Sequence, residues 1–519
     1  MVGSRGGGKP TTSRPPGRPI HNRMYVHNWL RIAFVYSNAA PSHPVTHSMT
    51  RPATLLLLLA GLLFFVALGN HQLQGSTEAR VAGIAMAMHL DNDWVVPRLF
   101  GEPFLEKPPL SLWLDAGAIR LFGASTGAVR LASAFAGLFS VMLLYGMLRR
   151  FGRPTSLAFC AALILATMAS YWSNVRGVGE DALLSLGVTL ALLAFYQAMR
   201  PESRHSANVG SWLLFTLGMM IATLSKGVLG LAMPGIVIFA YLACTSLMDK
   251  RLQLGQWLKP GAFTVLALVP LLIWLGFLYQ RGGLQAVGEV LWTNSVGRFS
   301  GSFVEAGHYE PIYYYLAKLP EAFLPWNILV YLGLWHFRKS LASNRYLLFF
   351  SLWLVAQFTL LTFASSKRIV YLMALTPAAA VLAAEYGAVL LSRLPAYRRG
   401  LISGVFSVVI ACYLGAAIWY APKADRRESF LPQTSQIQAL QAQGHSVVLY
   451  QPNERVAGAS VFYTQSHLPI LQSPAQLRAY LDAKPGNVAL LDRIEELTIP
   501  VTTRQQIKVG SRPYSFVEQ

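Results

Sequence analysis

The sequence has only three cysteines in 519 residues and few charges of either sign, 43 Lys and Arg against 23 Asp and Glu, or 13% in all. Cys160, Cys244 and Cys412 each fall inside a long apolar run, which excludes a disulfide framework and leaves no CxxC metal-binding pair. With 54% hydrophobic residues and a mean hydropathy of +0.41, the shortage of charge excludes an ordinary soluble domain. Heptads and repeats of solenoid period are also missing. The net charge of +20 raises the question of nucleic acid. The basic residues are scattered over short connections rather than gathered on one face, which argues against such a partner.

Apolar sequence is what the chain has in quantity. Runs long enough to span about 30 Å of hydrocarbon lie at residues 53–69, 127–148, 156–173, 182–199, 211–224, 228–247, 261–279, 312–337, 346–364, 369–391 and 401–421. The expectation is an all-α polytopic membrane protein with about 11 to 13 transmembrane helices. The 211–224 run is short and the 312–337 run holds Pro320 and Pro325, so broken or tilted helices are expected there. Placing the amino terminus in the cytoplasm makes every cytoplasmic loop basic: Arg149, Arg150 and Arg153; Arg200 and Arg204; Lys250, Arg251 and Lys259; Arg338, Lys339 and Arg345; Arg393, Arg398 and Arg399. The expected location is a bacterial inner membrane with the carboxy terminus in the periplasm and membrane lipids as surroundings. A monomer is expected.

Residues 1–48 carry basic residues and no acid and are rich in Gly, Pro, Ser and Thr; they read as a disordered basic leader or a mis-assigned start ahead of Met49. The first apolar run lacks a small-residue cleavage pattern and reads as a retained signal anchor. Residues 49–421 then form the transmembrane domain, with a first periplasmic loop at 70–126 that is too long for a plain connector. Within that loop, residues 78–90 and 110–122 read as amphipathic helices in the headgroup plane. Beyond residue 422 the pattern changes. Strands are expected at 446–450, 461–463 and 487–491, and a helix at 474–481, giving a small periplasmic α/β domain over 422–519.

In this topology five short polar clusters fall on one side of the membrane: Glu78-Ala-Arg80, Glu106-Lys107, Glu180-Asp181, Ser225-Lys226 and Ser366-Lys367-Arg368, with a loop carrying His308. Each has a structural explanation of its own. Lysines at span ends snorkel, and Glu180-Asp181 sits where carboxylates favour a helix amino terminus. Their convergence is what favours a site. Lys107, Lys226, Lys367 and Arg80 have the chemistry to hold a phosphate. Glu78, Glu106 and Asp181 have the chemistry to orient an acceptor, take a proton, or hold a divalent metal with His308. Glycosyl transfer from a lipid phosphate needs these functions, and a transport vestibule for a lipid-linked sugar would show some of them too.

Three stretches carry a resemblance: Thr77-Glu-Ala-Arg-Val-Ala-Gly-Ile-Ala, Asp93-Trp-Val-Val-Pro-Arg-Leu and Glu106-Lys-Pro-Pro-Leu-Ser-Leu-Trp-Leu. Together they closely resemble the first periplasmic loop of the ArnT-type glycosyltransferases, GT-C enzymes related to the protein O-mannosyltransferases. Asp181-Ala-Leu-Leu, Ser225-Lys-Gly-Val-Leu-Gly-Leu, Arg298-Phe with His308 and Pro311, and Ser365-Ser-Lys with Tyr371 follow in order. The resemblance implies a GT-C-like fold with juxtamembrane helices and a periplasmic domain. It also implies a transferase that moves 4-amino-4-deoxy-L-arabinose from undecaprenyl phosphate to lipid A or another envelope glycan, a modification tied to polymyxin resistance. Protein O-glycosylation and a lipid-linked sugar flippase are the alternatives. Carried across residue by residue, Lys107 matches a phosphate-contacting lysine, and Arg80, Lys226, Lys367, Arg298 and Tyr371 match substrate-binding positions. Glu106 and His308 match a zinc pair, and Asp181 matches an essential aspartate, here with an extra acidic neighbour in Glu180. Where family members usually have an Asp-Glu pair, this chain has Thr77-Glu78. Either Glu78 takes over the role, or the acceptor is already anionic, or the chain is a divergent paralogue with another substrate.

Overall fold

The computed structural model describes residues 50–200, 205–302, 308–492, 494, 497 and 499–519. The leader expected at 1–48 lies outside the described residues. All eleven apolar runs are helical over most of their length. Among the described residues seven helices are long and apolar enough to cross a membrane, or eight if the pair Thr155–Ala166 and Ala169–Val175, bent by 65°, counts as one span. Arg51–Phe65 and Asn327–Phe337 are shorter apolar helices. Two of the expected runs, 211–224 and 228–247, are the arms of one element, His205–Asp249, interrupted at Lys226 and Gly227.

The interruption is a reversal. A Cβ built on Gly230 would lie 2.0 Å from the carbonyl oxygen of Ala222, whereas eight residues of straight helix would separate the two by roughly 12 Å. Gly227 makes the turn possible at φ +53° and ψ −125°, a conformation costly for any residue with a side chain. Lys226 is thereby exported from helical geometry to the tip of a helical hairpin.

The prolines in 312–337 act as expected, separating Tyr314–Ala322 from Asn327–Phe337. Both juxtamembrane helices are present, at Gly75–Asp91 and Leu110–Phe122. The second turns several large apolar side chains outward, with Leu114, Leu121 and Phe122 exposed, whereas the first exposes Leu90 near its end. The first is enclosed instead: Val81, Ala82, Ile84, Ala85, Met86 and Met88 are all buried. Its cover is the helix Glu454–Thr464, whose Gly458 meets Gly83 backbone to backbone; a Cβ on Gly83 would lie 2.3 Å from the Gly458 Cα.

That covering helix is a correction to the expected strand at 461–463. Asn453 accepts hydrogen bonds from the backbone N–H groups of Arg455 and Val456, so a helix starts there, and Val456, Ala457, Ala459, Ser460 and Phe462 bury one face of it. A three-residue apolar run has no period of its own, and the cap upstream decides. Strands do form at Val447–Tyr450 and Val488–Leu491, and the helix Pro474–Ala483 starts on a capping box of Ser473 and Gln476. After a two-stranded ribbon, β1 (Arg98–Leu99) and β2 (Glu102–Pro103), the five-stranded sheet comprises β3 (Val447–Tyr450), β4 (Ile470–Leu471), β5 (Val488–Leu491), β6 (Thr502–Val509) and β7 (Arg512–Glu518), in the order β4-β3-β5-β7-β6. β3 pairs in parallel with β4 and β5, and β7 pairs antiparallel with β5 and with the edge strand β6.

Candidate active site

Seven charges from five places in the chain meet between the first juxtamembrane helix and the hairpin tip, six of them largely buried and the seventh, Glu454, half-exposed. Arg80 lies 3.1 Å from Glu106 and 2.8 Å from Glu454. Lys107 lies 3.6 Å from Glu106 and 2.5 Å from Glu180. Lys226 is 3.3 Å from Glu180 and donates a short hydrogen bond to Asp181. Arg80, Lys107 and Lys226 thus alternate with Glu106, Glu180 and Asp181, and the formal charges of the six cancel. Burial makes the balance matter. Lys226 and Glu180 have side chains 4% exposed, where an unmatched charge costs several kcal/mol.

Local structure explains how each group gets there. Pro108 and Pro109 stop the chain after Lys107, and the helix Leu110–Phe122 begins at once. Asp181 opens the helix Asp181–Met199, and Lys226 sits at the reversal described above. Tyr371 supports Lys226 from the side, with its ring centroid 4.3 Å from Nζ. Burial alone would raise the Glu180 carboxyl, but the Lys107 and Lys226 ammoniums outweigh it and hold it well below the usual carboxylate range. Asp115 shows the opposite case. It is 2% exposed, its Oδ2 has no hydrogen-bond partner, and burial together with the nearby Glu180 pushes its carboxyl well above the usual range.

Two cavities flank the cluster. The first, about 340 Å³, is lined mostly by apolar groups, among them Val228, Leu229, Leu360 and Leu361, and its charged lining residues are Glu106, Lys107 and Lys226. The second, about 560 Å³, is more polar and is lined by Thr77, Asn174, Arg176, Asp181 and Arg368, among others. The Lys226–Asp181 pair joins them, since Lys226 lines the first and Asp181 the second.

Not every expected residue joins this cluster. Glu78 is turned away onto Arg130, which donates from Nε at 3.0 Å and from Nη2 at 2.8 Å. The backbone N–H groups of Gln74 and Val178 add two more hydrogen bonds. Four donors fill the acceptor capacity of one carboxylate, so Glu78 is placed as an anchor and not as a base. Arg130 itself is fully buried and also holds the carbonyls of Leu68, His71 and Gln72. Lys367 is spent on carbonyls as well, at 3.1 Å from Glu310 and 2.6 Å from Ala364. Arg298 begins a short helix, and its side chain lies outside the described residues. Sequence reasoning did not single out Arg130, Arg176 or Asp115. The available signal was a lone charge inside or beside an apolar run, which is costly unless it has work there.

The residues do not fit the metal pair expected at Glu106 and His308. The Glu106 carboxylate is already held by two cations, Arg80 and Lys107, which would repel a divalent ion. Among the described residues no group of three His, Cys, Asp or Glu side chains is placed to hold one. His308 is exposed, and its carbonyl accepts from the Lys367 N–H at 2.8 Å.

Part of the chain resembles known proteins in sequence, and most of it does in fold. Residues 106–274 match the family described as dolichyl-phosphate-mannose-protein mannosyltransferase. The chain is 31% identical over 330 residues to the undecaprenyl phosphate-alpha-4-amino-4-deoxy-L-arabinose arabinosyl transferase of Pseudomonas aeruginosa, covering 63% of this chain and 58% of that protein. It is 29% identical over 345 residues to the protein of the same name from Erwinia tasmaniensis, covering 65% and 60%. The chain thus spans less than two thirds of the length of these relatives. In fold it is similar to the crystal structure of ArnT from Cupriavidus metallidurans bound to undecaprenyl phosphate, with a TM-score of 0.72 and 20% identity over 91% of this chain and 98% of that one. The resemblance to the ArnT-type GT-C glycosyltransferases, relatives of the protein O-mannosyltransferases, therefore holds in sequence and in fold.

Proposed function

We propose that the protein is a glycosyltransferase that moves a sugar, 4-amino-4-deoxy-L-arabinose by its relatives' names, from undecaprenyl phosphate to an envelope acceptor such as lipid A. The observation that carries this reading is the first cavity, a mostly apolar space whose lining includes Lys107 and Lys226 beside Glu106. A polyprenyl chain suits the apolar wall and its phosphate suits Lys107 and Lys226. In the reaction an acceptor oxygen attacks the anomeric carbon and the bond from that carbon to the phosphate oxygen breaks. The electron pair stays on the phosphate, which passes from a diester to a monoester and gains a negative charge. Lys107, Lys226 and Arg80 stabilise that charge as it develops, because they are already in place and largely shielded from water. Asp181, at the junction of the cavities, positions the acceptor. Glu78, held by Arg130, fixes the helix that presents Arg80.

The basic residues at the far ends of the helices, from Arg149 and Arg150 to Arg398 and Arg399, support a cytoplasmic assignment for those ends. The site and the small sheet domain then face the periplasm across the inner membrane. The test compares lipid A by mass spectrometry from cells lacking the gene, cells expressing the chain and cells expressing Lys107→Ala. A sugar-sized mass addition with the unaltered chain alone is expected. Equal addition with Lys107→Ala would remove the phosphate role.

A further inference from the structure

Lys107 and Lys226 stand on different loops, and a third segment bears on both of them. It is the π-helix Glu289–Gly297, a rare form that is frequent at functional sites. Asn294, Ser295 and Val296 at its end line the first cavity together with Lys107 and Lys226. Asn294 donates from Nδ2 to the carbonyl of Leu105 at 3.2 Å, and Leu105 is the buried residue just before the Glu106-Lys107 pair. Ser295 stands at the hairpin tip: its Oγ lies 3.6 Å from where a Cβ on Gly227 would be, and the Pro108 ring is equally close to that point. Ser295 is fixed there by its own hydrogen bond, from Oγ to the Val290 carbonyl at 2.9 Å. Past the π-helix, the carbonyl of Phe299 accepts from the Ser365 N–H at 3.0 Å. One short segment thus braces the loops of Lys107, Lys226 and Lys367.

We propose that Asn294 is a positioning residue: by holding the Leu105 carbonyl it fixes the backbone that presents Lys107 to the phosphate of undecaprenyl phosphate. This rests on the transferase reading above and adds to it what keeps that lysine in place. The charges create the need. Lys107 and Lys226 both approach Glu180, at 2.5 and 3.3 Å, so two ammoniums share one carboxylate and repel each other. A lysine carries its charge on a flexible four-carbon stem, and its backbone end is the part that can be pinned without touching the charge. An amide suits that task. It donates to a carbonyl and leaves the balance of Arg80, Lys107 and Lys226 against Glu106, Glu180 and Asp181 as it is, whereas an ionised carboxylate at position 294 would have no proton to donate. Pro108 and Pro109 stiffen the chain on the other side of Lys107, so the residue is held from both directions.

The test is a double-mutant cycle on undecaprenyl phosphate binding to the purified full-length chain in detergent, with Asn294→Leu, Lys107→Ala and the two combined. Binding by the unaltered chain is measured first, because its absence would overturn the transferase reading and this inference with it. Asn294→Leu keeps the volume of the side chain and removes its donor. It is expected to weaken binding about three- to tenfold, the effect of one hydrogen bond. In the Lys107→Ala background, where Lys226 and Arg80 remain, the same change should cost less than about twofold, because the lysine that Asn294 positions is gone. Asn294→Gln, which keeps an amide, should recover part of the loss. A residue that touched the ligand itself, or supported the fold at large, would lose the same factor in both backgrounds, and that result would overturn the proposal. Unchanged binding in Asn294→Leu would overturn it as well. Asn294→Ala takes the place of Asn294→Leu in the cycle if the leucine variant does not fold.

Discussion

Arg130 grips Glu78 with two parallel hydrogen bonds, at 3.0 and 2.8 Å, inside the turn that leads from the first helix to the juxtamembrane helix. The pair closes that turn, because the same guanidinium gathers the carbonyls of Leu68, His71 and Gln72. Glu78→Gln would leave Arg130 fully buried without its counter-charge, a loss of about 3–5 kcal/mol. Thermal unfolding in detergent should show the drop, with activity lost in step with the folded fraction. Loss of activity in a fully stable Glu78→Gln protein would restore Glu78 as the base.

Asp181 stands where the two cavities meet. Asp181→Asn keeps the shape of the side chain and leaves Lys226 with Glu180, so the fold and undecaprenyl phosphate binding are expected to survive. Transfer should fall about 100-fold or more, the scale seen when one preorganised polar group is removed from a reacting centre. Single-turnover transfer measured beside donor binding checks this, and a loss smaller than about threefold in transfer would move the acceptor role elsewhere.

Asp115 and Glu180 give opposite pH dependences. The Glu180 carboxyl is depressed by its lysines. Its contribution is present above the unfolded value near 4.3 and is lost as pH falls through the lower folded value. The Asp115 carboxyl is raised by burial and by Glu180. Its contribution is present below the unfolded value near 3.9 and is lost as pH rises through the folded value, at up to about 1.4 kcal/mol per pH unit. Asp115→Asn removes the second dependence. The variant should therefore gain in melting temperature over the unaltered chain as pH is raised from about 5 toward the folded value. A constant difference across that range would show that Asp115 is ionised in the folded protein.

The Gly83–Gly458 crossing leaves no room for a side chain on either helix. A Cβ on Gly458 would lie 2.3 Å from the Ala79 carbonyl oxygen, and overpacking of this kind costs about 1–3 kcal/mol or more. Gly83→Ala and Gly458→Ala should each lower the melting temperature and weaken transfer, because Arg80 rides on the displaced helix. Gly146→Ala, which meets nothing within 4 Å, is the control and should be neutral or mildly stabilising.

Much of the architecture was legible because hydrophobic length and helical period are strong signals in a membrane protein. The hairpin was legible only in part: Ser225-Lys226-Gly227 marked an interruption, but nothing local says that Gly230 packs on Ala222. Lys107, Lys226 and Asp181 were found because chemistry, position and family resemblance agreed on them. Glu78 and Lys367 carry the same chemistry but spend it on Arg130 and on carbonyl groups, and partners distant in sequence decide that. The hairpin Thr502–Val509 and Arg512–Glu518 was missed because its first strand is almost wholly exposed and polar, so alternation gave no signal.

The contact between the first juxtamembrane helix and the helix Glu454–Thr464 also sets an order of assembly. Arg80 and Glu454 are 374 residues apart, and at roughly 5–20 residues per second the ribosome needs on the order of 20 to 75 s to bridge that distance. During that interval the helix carrying Thr77 and Arg80 has been made while its cover has not. Its buried face, with Val81, Ile84 and Met88, is then open to the bilayer surface or to whatever chaperone attends insertion. The buried charge cluster is thus among the last parts of the molecule to be completed, and a nascent chain stalled before residue 454 would hold the earlier apolar helices without the Arg80–Glu454 pair.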